Sequence, residues 1–222
     1  MINERGFPLT GTVGRAIVRF LQVLMALIFA AGLYYGNAGV AVNAGIGLVV
    51  TFLPGILERR YDLTMSVGIV LWITLAMFLH ALGTLPLPGL GFLSPYKAVW
   101  WWDHMTHALS SSLVAGAAYA TTRALEEHTE YVNMPPKFTF VYLLVFVMAF
   151  GVVWELLEFY IGVVAGAFGT AKVLTQYGLD DTVLDLVYNT LGGLLVAIFG
   201  TAHLSGLSGQ LADQFGGESA NR

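Results

Sequence analysis

Six apolar stretches, separated by short polar breaks, make up most of the chain. They run over Val18–Tyr35, Gly39–Leu57, Thr64–Leu82, Trp100–Thr122, Phe138–Ile161 and Thr182–Ala202. Each approaches the roughly 20 mostly apolar residues that an α-helix needs to cross a bilayer. The pattern predicts an all-α integral membrane protein, a bundle of six transmembrane helices. Residues 1–17 precede the bundle, 18–203 form it, and 204–222 are a polar, Gly-rich tail expected to be flexible. Arg15 and Arg19 stand before the first stretch, as in a signal peptide. Its apolar core is longer than the roughly 7–15 residues of such a signal, so it is expected to remain as an anchor. In the Pro- and Gly-rich break from Gly83 to Lys97, Ser94-Pro95 has the form of an N-cap followed by proline at the first helical position. The fourth helix is therefore expected to begin before Trp100, Trp101 and Trp102, leaving these indoles at the membrane interface.

Composition narrows the class. Of 222 residues, 57% are hydrophobic and 11% charged, and the mean hydropathy is +0.73. A soluble domain carries about a quarter charged residues, and a disordered chain needs low hydrophobicity; both are excluded. There is no cysteine, which removes disulfides, thiolate metal sites and cysteine nucleophiles. The net charge is −4, and no basic run points to nucleic acid. The few basic residues set an orientation, because Lys and Arg favour cytoplasmic loops. With the N-terminus inside, Arg5, Arg15, Arg19, Arg59, Arg60, Arg123, Lys137 and Arg222 are cytoplasmic, and only Lys97 and Lys172 are outside. An even number of spans returns the C-terminus to the cytoplasm, which agrees. The expected location is the plasma membrane, with multiple passes. A homo-oligomer is left open.

Six carboxylates and three histidines gather at one level. His80, Asp103, His104, His107, Glu155, Glu158, Asp180, Asp181 and Asp185 all fall in the outer halves of four predicted helices. His104 and His107 are spaced i,i+3 and share a helix face, as do Glu155 and Glu158. Asp181, Asp185 and Asn189 follow at i, i+4 and i+8, a stripe descending into the membrane. A charge at the bilayer centre costs roughly 2.5–3.5 kcal/mol on insertion scales, so such faces turn inward. Ala108, Ser112, Gly116 and Ala120 form a small-residue stripe suited to close helix packing, and Gly192 and Gly193 suit the same role in the sixth helix. Ser110, Ser111 and Ser112 could supply a nucleophile, but packing between helices accounts for them better.

Imidazoles and carboxylates on facing helices can hold Zn²⁺, Mn²⁺ or Fe²⁺. Three protein ligands with one open position would make a catalytic centre. The expected ligands are His104, His107 and Asp185. Glu155 is the expected base, with Asp103 and Glu158 as further catalytic candidates. Asp181, Asn189 and Trp102 are expected to orient substrate. Clustered carboxylates could equally run metal-free acid–base chemistry or lock helices together structurally.

The run Trp102-Asp103-His104-Met105-Thr106-His107 is similar to the Asp–His helix of the YjdF-type family of uncharacterised membrane proteins, and Trp154-Glu155-Leu156-Leu157-Glu158-Phe159 resembles its glutamate helix. The stretch Asp181-x-x-x-Asp185-x-x-x-Asn189-x-x-Gly192 looks like the ending of the broader VanZ-like group. The likeness covers about residues 50 to 200. In that group the glutamate helix often reads Glu-x-x-Gln, where this chain has Glu158. The resemblance implies that Asp103, His104, His107, Glu155, Asp181, Asp185 and Asn189 form one site, and it supplies no substrate. The leading expectation is an outward-facing enzyme performing metal-assisted hydrolysis or group transfer on a membrane lipid or lipid-linked substrate. The alternatives are a proton- or divalent-cation-coupled transporter, or a non-catalytic partner in a membrane assembly.

Overall fold

The structure is a computed structural model that describes residues 11–129, 131–170, 173–174, 176 and 178–219, with some side chains beyond residue 200 left undescribed. Regular structure among these is helical. Its long elements are α1 (Gly11–Tyr34), α2 (Ala38–Tyr61), α3 (Val67–Thr84), α5 (Trp102–His128), α6 (Pro136–Phe168) and α7 (Leu179–Ser219), with a single-turn α4 (Pro95–Ala98) between α3 and α5. A single isolated bridge, Leu87 with Leu93, closes the loop before α4.

Five of these helices (α1, α2, α3, α6 and the Leu179–Gly200 part of α7) are long and apolar enough to cross a membrane. α5 is not among them, although the chain pattern predicts a span there. It is 27 residues long, so length is not the obstacle. Its polar and small residues lower its hydropathy, yet from Trp102 to Ala120 only Ala117 is exposed. The fourth predicted helix is also broken. Ser94 stands at the N-cap position of α4 without a side-chain capping bond, and Pro95 follows in the first turn. α4 ends at Ala98, and α5 starts afresh at Trp102. Arg5, Lys172 and Arg222, used above to set orientation, lie outside the described residues.

The chain divides into two compact units. The first comprises Met1–Leu53, Ser66–Thr106 and Trp154–Thr182. In it α1 ends in a left-handed Gly36 (φ +65°). The Asn37 amide donates to the Gly32 carbonyl (2.8 Å) and the Gly36 amide to the Leu33 carbonyl (3.2 Å), the paired bonds of a Schellman stop. Asn37 then starts α2, its Oδ1 accepting from the Val40 amide at 3.2 Å. The hairpin closes tightly, since a Cβ on Gly32 would stand 2.6 Å from the Ala41 nitrogen. Met25, Ile28, Val40, Ala44 and Ala81 form a buried core from α1, α2 and α3. Gln22 donates to Thr51 Oγ1 at 3.1 Å across the hairpin. Asn43 Nδ2 donates to the Gly39 carbonyl in its own helix and to the Val173 carbonyl at 3.1 Å.

The second unit comprises Pro54–Met65, His107–Val153 and Val183–Arg222. In it α5 and α7 run parallel, with Ala108 meeting Gly192 and Tyr119 meeting Gly200. α6 runs antiparallel to α7, with Gly151 against Asn189 and Val147 against Gly193. α7 continues as helix to Ser219, through most of the 204–222 segment expected to be a flexible tail. Leu204 and Ser208 are buried. Gln210 is tied to Thr64, accepting from its amide at 2.6 Å and donating to its carbonyl at 3.1 Å.

Candidate functional site

α5 and α7 supply the ligand-bearing side chains of the second unit. On α7 the residues Asp185, Asn189, Gly192, Gly193, Val196 and Gly200 are all buried, a stripe at three- and four-residue steps that faces its neighbours. Asp185 is 1% exposed and His107 is 7% exposed, and His107 Nε2 stands 3.8 Å from Asp185 Oδ2. Close backbone approach makes this pairing reachable. A Cβ on Gly192 would lie 2.1 Å from the Ala108 carbonyl oxygen and 2.3 Å from Ser111 Oγ, so α5 and α7 touch where a side chain would separate them. Ser111 and Ser112 donate back to the Ala108 and Leu109 carbonyls of their own helix, in keeping with a packing role.

One turn before His107, on the same unbroken helix, Asp103 adds a third donor. It precedes His107 by four residues on α5, and His107 in turn stands beside Asp185 within the second unit. Asp103 occupies the first turn of α5, where the helix dipole favours a carboxylate. The set differs from the expected one, with Asp103 taking the place given to His104. At about 100° per residue, a residue four positions before His107 is turned about 40° from it, whereas one three positions before is turned about 60° to the other side. The i,i+4 residue therefore shares the face of His107 more closely. His104 is buried, with its ring 6.5 Å from that of Trp100.

The other expected residues sit in defined surroundings. His80 Nδ1 is hydrogen-bonded to the Tyr96 hydroxyl at 2.7 Å, and that hydroxyl also contacts Thr106 Oγ1 at 3.3 Å. Trp102, expected to orient substrate, donates from Nε1 to the Leu79 carbonyl at 3.3 Å and stacks on Trp101. Glu155 ends a buried stripe on α6 formed by Thr139, Leu143, Val147 and Gly151. Its Oε2 accepts from Thr182 Oγ1 at 2.9 Å, and Thr182 in turn accepts from Gln176 Nε2 at 2.8 Å. Glu158 is only half-buried and accepts from Trp154 Nε1 at 3.0 Å. Asn189 is buried, and a Cβ on Gly151 would come within 2.7 Å of its Nδ2. Asp181 is half-buried in the first turn of α7. Sequence reasoning missed Tyr96, Thr182 and Gln176. Each serves a titratable side chain distant in sequence, and only the chain's path brings them together.

Asp103, His107 and Asp185 present one imidazole and two carboxylates, a donor set suited to a divalent cation such as Mn²⁺, Fe²⁺ or Zn²⁺. Three protein donors leave coordination positions for water or substrate.

The chain belongs to the family described as "Predicted membrane protein (DUF2238)", whose profile matches residues 16–206. It is 28% identical over 146 residues to an "Uncharacterized protein" of Thermotoga maritima, a match covering 64% of this chain and 66% of that protein, just under two thirds of its length. No solved structure matches the chain.

Proposed function

We propose that this member of the predicted-membrane-protein family is a divalent-metal-dependent membrane enzyme that hydrolyses, or transfers a group from, a lipid or lipid-linked substrate. The observation that carries this reading is the buried pairing of His107 with Asp185 at 3.8 Å, with Asp103 one turn before His107 on the same helix. An imidazole and two carboxylates suit a divalent cation, which would leave open positions at which a phosphoryl or acyl oxygen could be polarised.

Depth argues for lipid. Trp100 is 79% exposed and Trp101 43%, and exposed indoles collect at the membrane–water interface. Asp103 follows them directly, and His107 lies one turn, about 5–6 Å, further along the helix. That is the level of lipid headgroups. In the same proposal α5 is the sixth span, screened from lipid by its neighbours. Both termini are cytoplasmic, the metal group faces outward, and the protein resides in the plasma membrane. The distribution of basic residues supports this orientation. Asn189, one turn below Asp185 on the buried stripe of α7, is positioned to orient a ligand.

The test is turnover. Purified protein is incubated with mixed membrane lipids, with and without chelator, and products are followed by mass spectrometry. The reading expects a lipid product that needs added Mn²⁺ or Zn²⁺ and is lost in Asp185→Asn. No lipid product under either condition, combined with Asp185-dependent flux of divalent cations in proteoliposomes, would replace it with transport.

A further inference from the structure

Glu155 belongs to the first unit and is not one of the three grouped ligands. Its side chain is 4% exposed. One oxygen accepts from Thr182. The other, Oε1, is fully buried and has no hydrogen-bond partner among the described residues. Buried polar atoms are nearly always satisfied, and one left unmade costs about 1–3 kcal/mol, more if charged. Gln176 lies beside the carboxyl, and Asp181 adds negative charge nearby. No Lys, Arg or His among the described residues pairs with Glu155. The described residues therefore supply a hydroxyl donor to one oxygen, an amide and a negative charge close by, and no hydrogen-bond partner for the other oxygen.

This arrangement fits a cationic hydrogen-bond donor from outside the chain. We propose that Glu155, scaffolded by Thr182 and Gln176, is a binding site for a primary ammonium group. An ammonium brings an N–H for Oε1 together with a positive charge against the Glu155 carboxylate. A quaternary ammonium brings charge without a donor and leaves Oε1 unmade. Access is from the start of α7, where exposure falls from Asp180 (exposed) through Asp181 and Thr182 (half-buried) to Glu155 (buried). In a membrane the abundant source of such a group is an ethanolamine-type lipid headgroup. A free amine shares the chemistry. The site is independent of the metal reading, since none of its residues is in the Asp103, His107 and Asp185 group.

The experiment uses full-length protein stripped of metal with chelator, so that its outcome is separate from that of the metal reading. Retention of phosphatidylethanolamine, phosphatidylcholine and phosphatidylglycerol from equimolar vesicles is measured by native mass spectrometry, with free ethanolamine as competitor. Wild type is expected to retain the ethanolamine lipid about tenfold over the choline lipid, the size of one charge-assisted hydrogen bond. Glu155→Gln is expected to lose most of that preference. Thr182→Val, which removes the scaffold and keeps the carboxyl, is expected to weaken it by a few-fold. Displacement by free ethanolamine would show that the amine alone is recognised, whichever molecule carries it. Equal retention of the ethanolamine and choline lipids by wild type would overturn the proposal. So would an unchanged preference in a folded Glu155→Gln protein.

Discussion

α5 and α6 are both long helices, and they differ sharply in composition and in exposure. α6 is apolar nearly throughout. Phe138, Val141, Val145, Phe150, Val153 and Leu157 are exposed along it, and a single buried stripe from Thr139 to Glu155 faces protein. α5 carries His, Ser, Thr and Asp in the same length, and almost none of its first nineteen residues is exposed. Hydropathy therefore follows how exposed each helix is, not how long it is. A helix surrounded by other helices needs small residues for close approach and can hold polar ones, because the lipid never meets them. The candidate chemistry sits on that screened helix and on the stripe of α7 beside it.

The sharpest way to break this contrast is at the α5–α7 contact. Gly192→Ala places a methyl against the Ala108 carbonyl, backbone that cannot move aside. The expected loss is about 3 kcal/mol or more, seen as a large fall in melting temperature in detergent. Gly166→Ala, where the added carbon meets nothing within 4 Å, is expected to be neutral or slightly stabilising. If both variants behave alike, the close approach is not what holds these helices. The lipid-facing side is tested by Val145→Arg on α6, at a side chain 62% exposed. It should cost roughly 2.5–3.5 kcal/mol if that position lies at the bilayer centre, read as reduced membrane insertion. Unaltered insertion would show that the exposed face of α6 is not against lipid. The smallest effect is expected in the first unit. Tyr96→Phe removes the hydrogen bond to His80 and should cost about 0.5–1.5 kcal/mol. A larger loss would mean that His80 does more than hold this loop to α3.

Much of this was legible in the residues themselves. The break between Tyr35 and Gly39 falls where Gly36 and Asn37 end α1 and start α2. The small residues of α5 and the glycines of α7 pointed to close packing, and the structure puts Gly192 against Ala108. In the i, i+4, i+8 run, Asp181 is half-buried and Asp185 and Asn189 are both buried, in keeping with a stripe that faces protein. What was not legible depends on angles and partners. Choosing Asp103 over His104 beside His107 turns on helical offsets of a few tens of degrees. The bonds of Glu155 to Thr182, and of His80 to Tyr96, depend on how connections fold back. The segment after Gly200 looked loose because of its glycines, yet Leu204, Leu207 and Leu211 recur at helical spacing, and Gln210 reaches Thr64.

The most direct test of the account is metal content. Protein purified without a His-tag is compared with Asp185→Asn and His107→Ala by elemental mass spectrometry after resupply of Mn²⁺, Fe²⁺ and Zn²⁺. The account predicts about one equivalent of a transition metal in wild type, and near none in either variant while each keeps its helical circular dichroism. Wild type with no metal after resupply, or variants that hold as much as wild type, would contradict it.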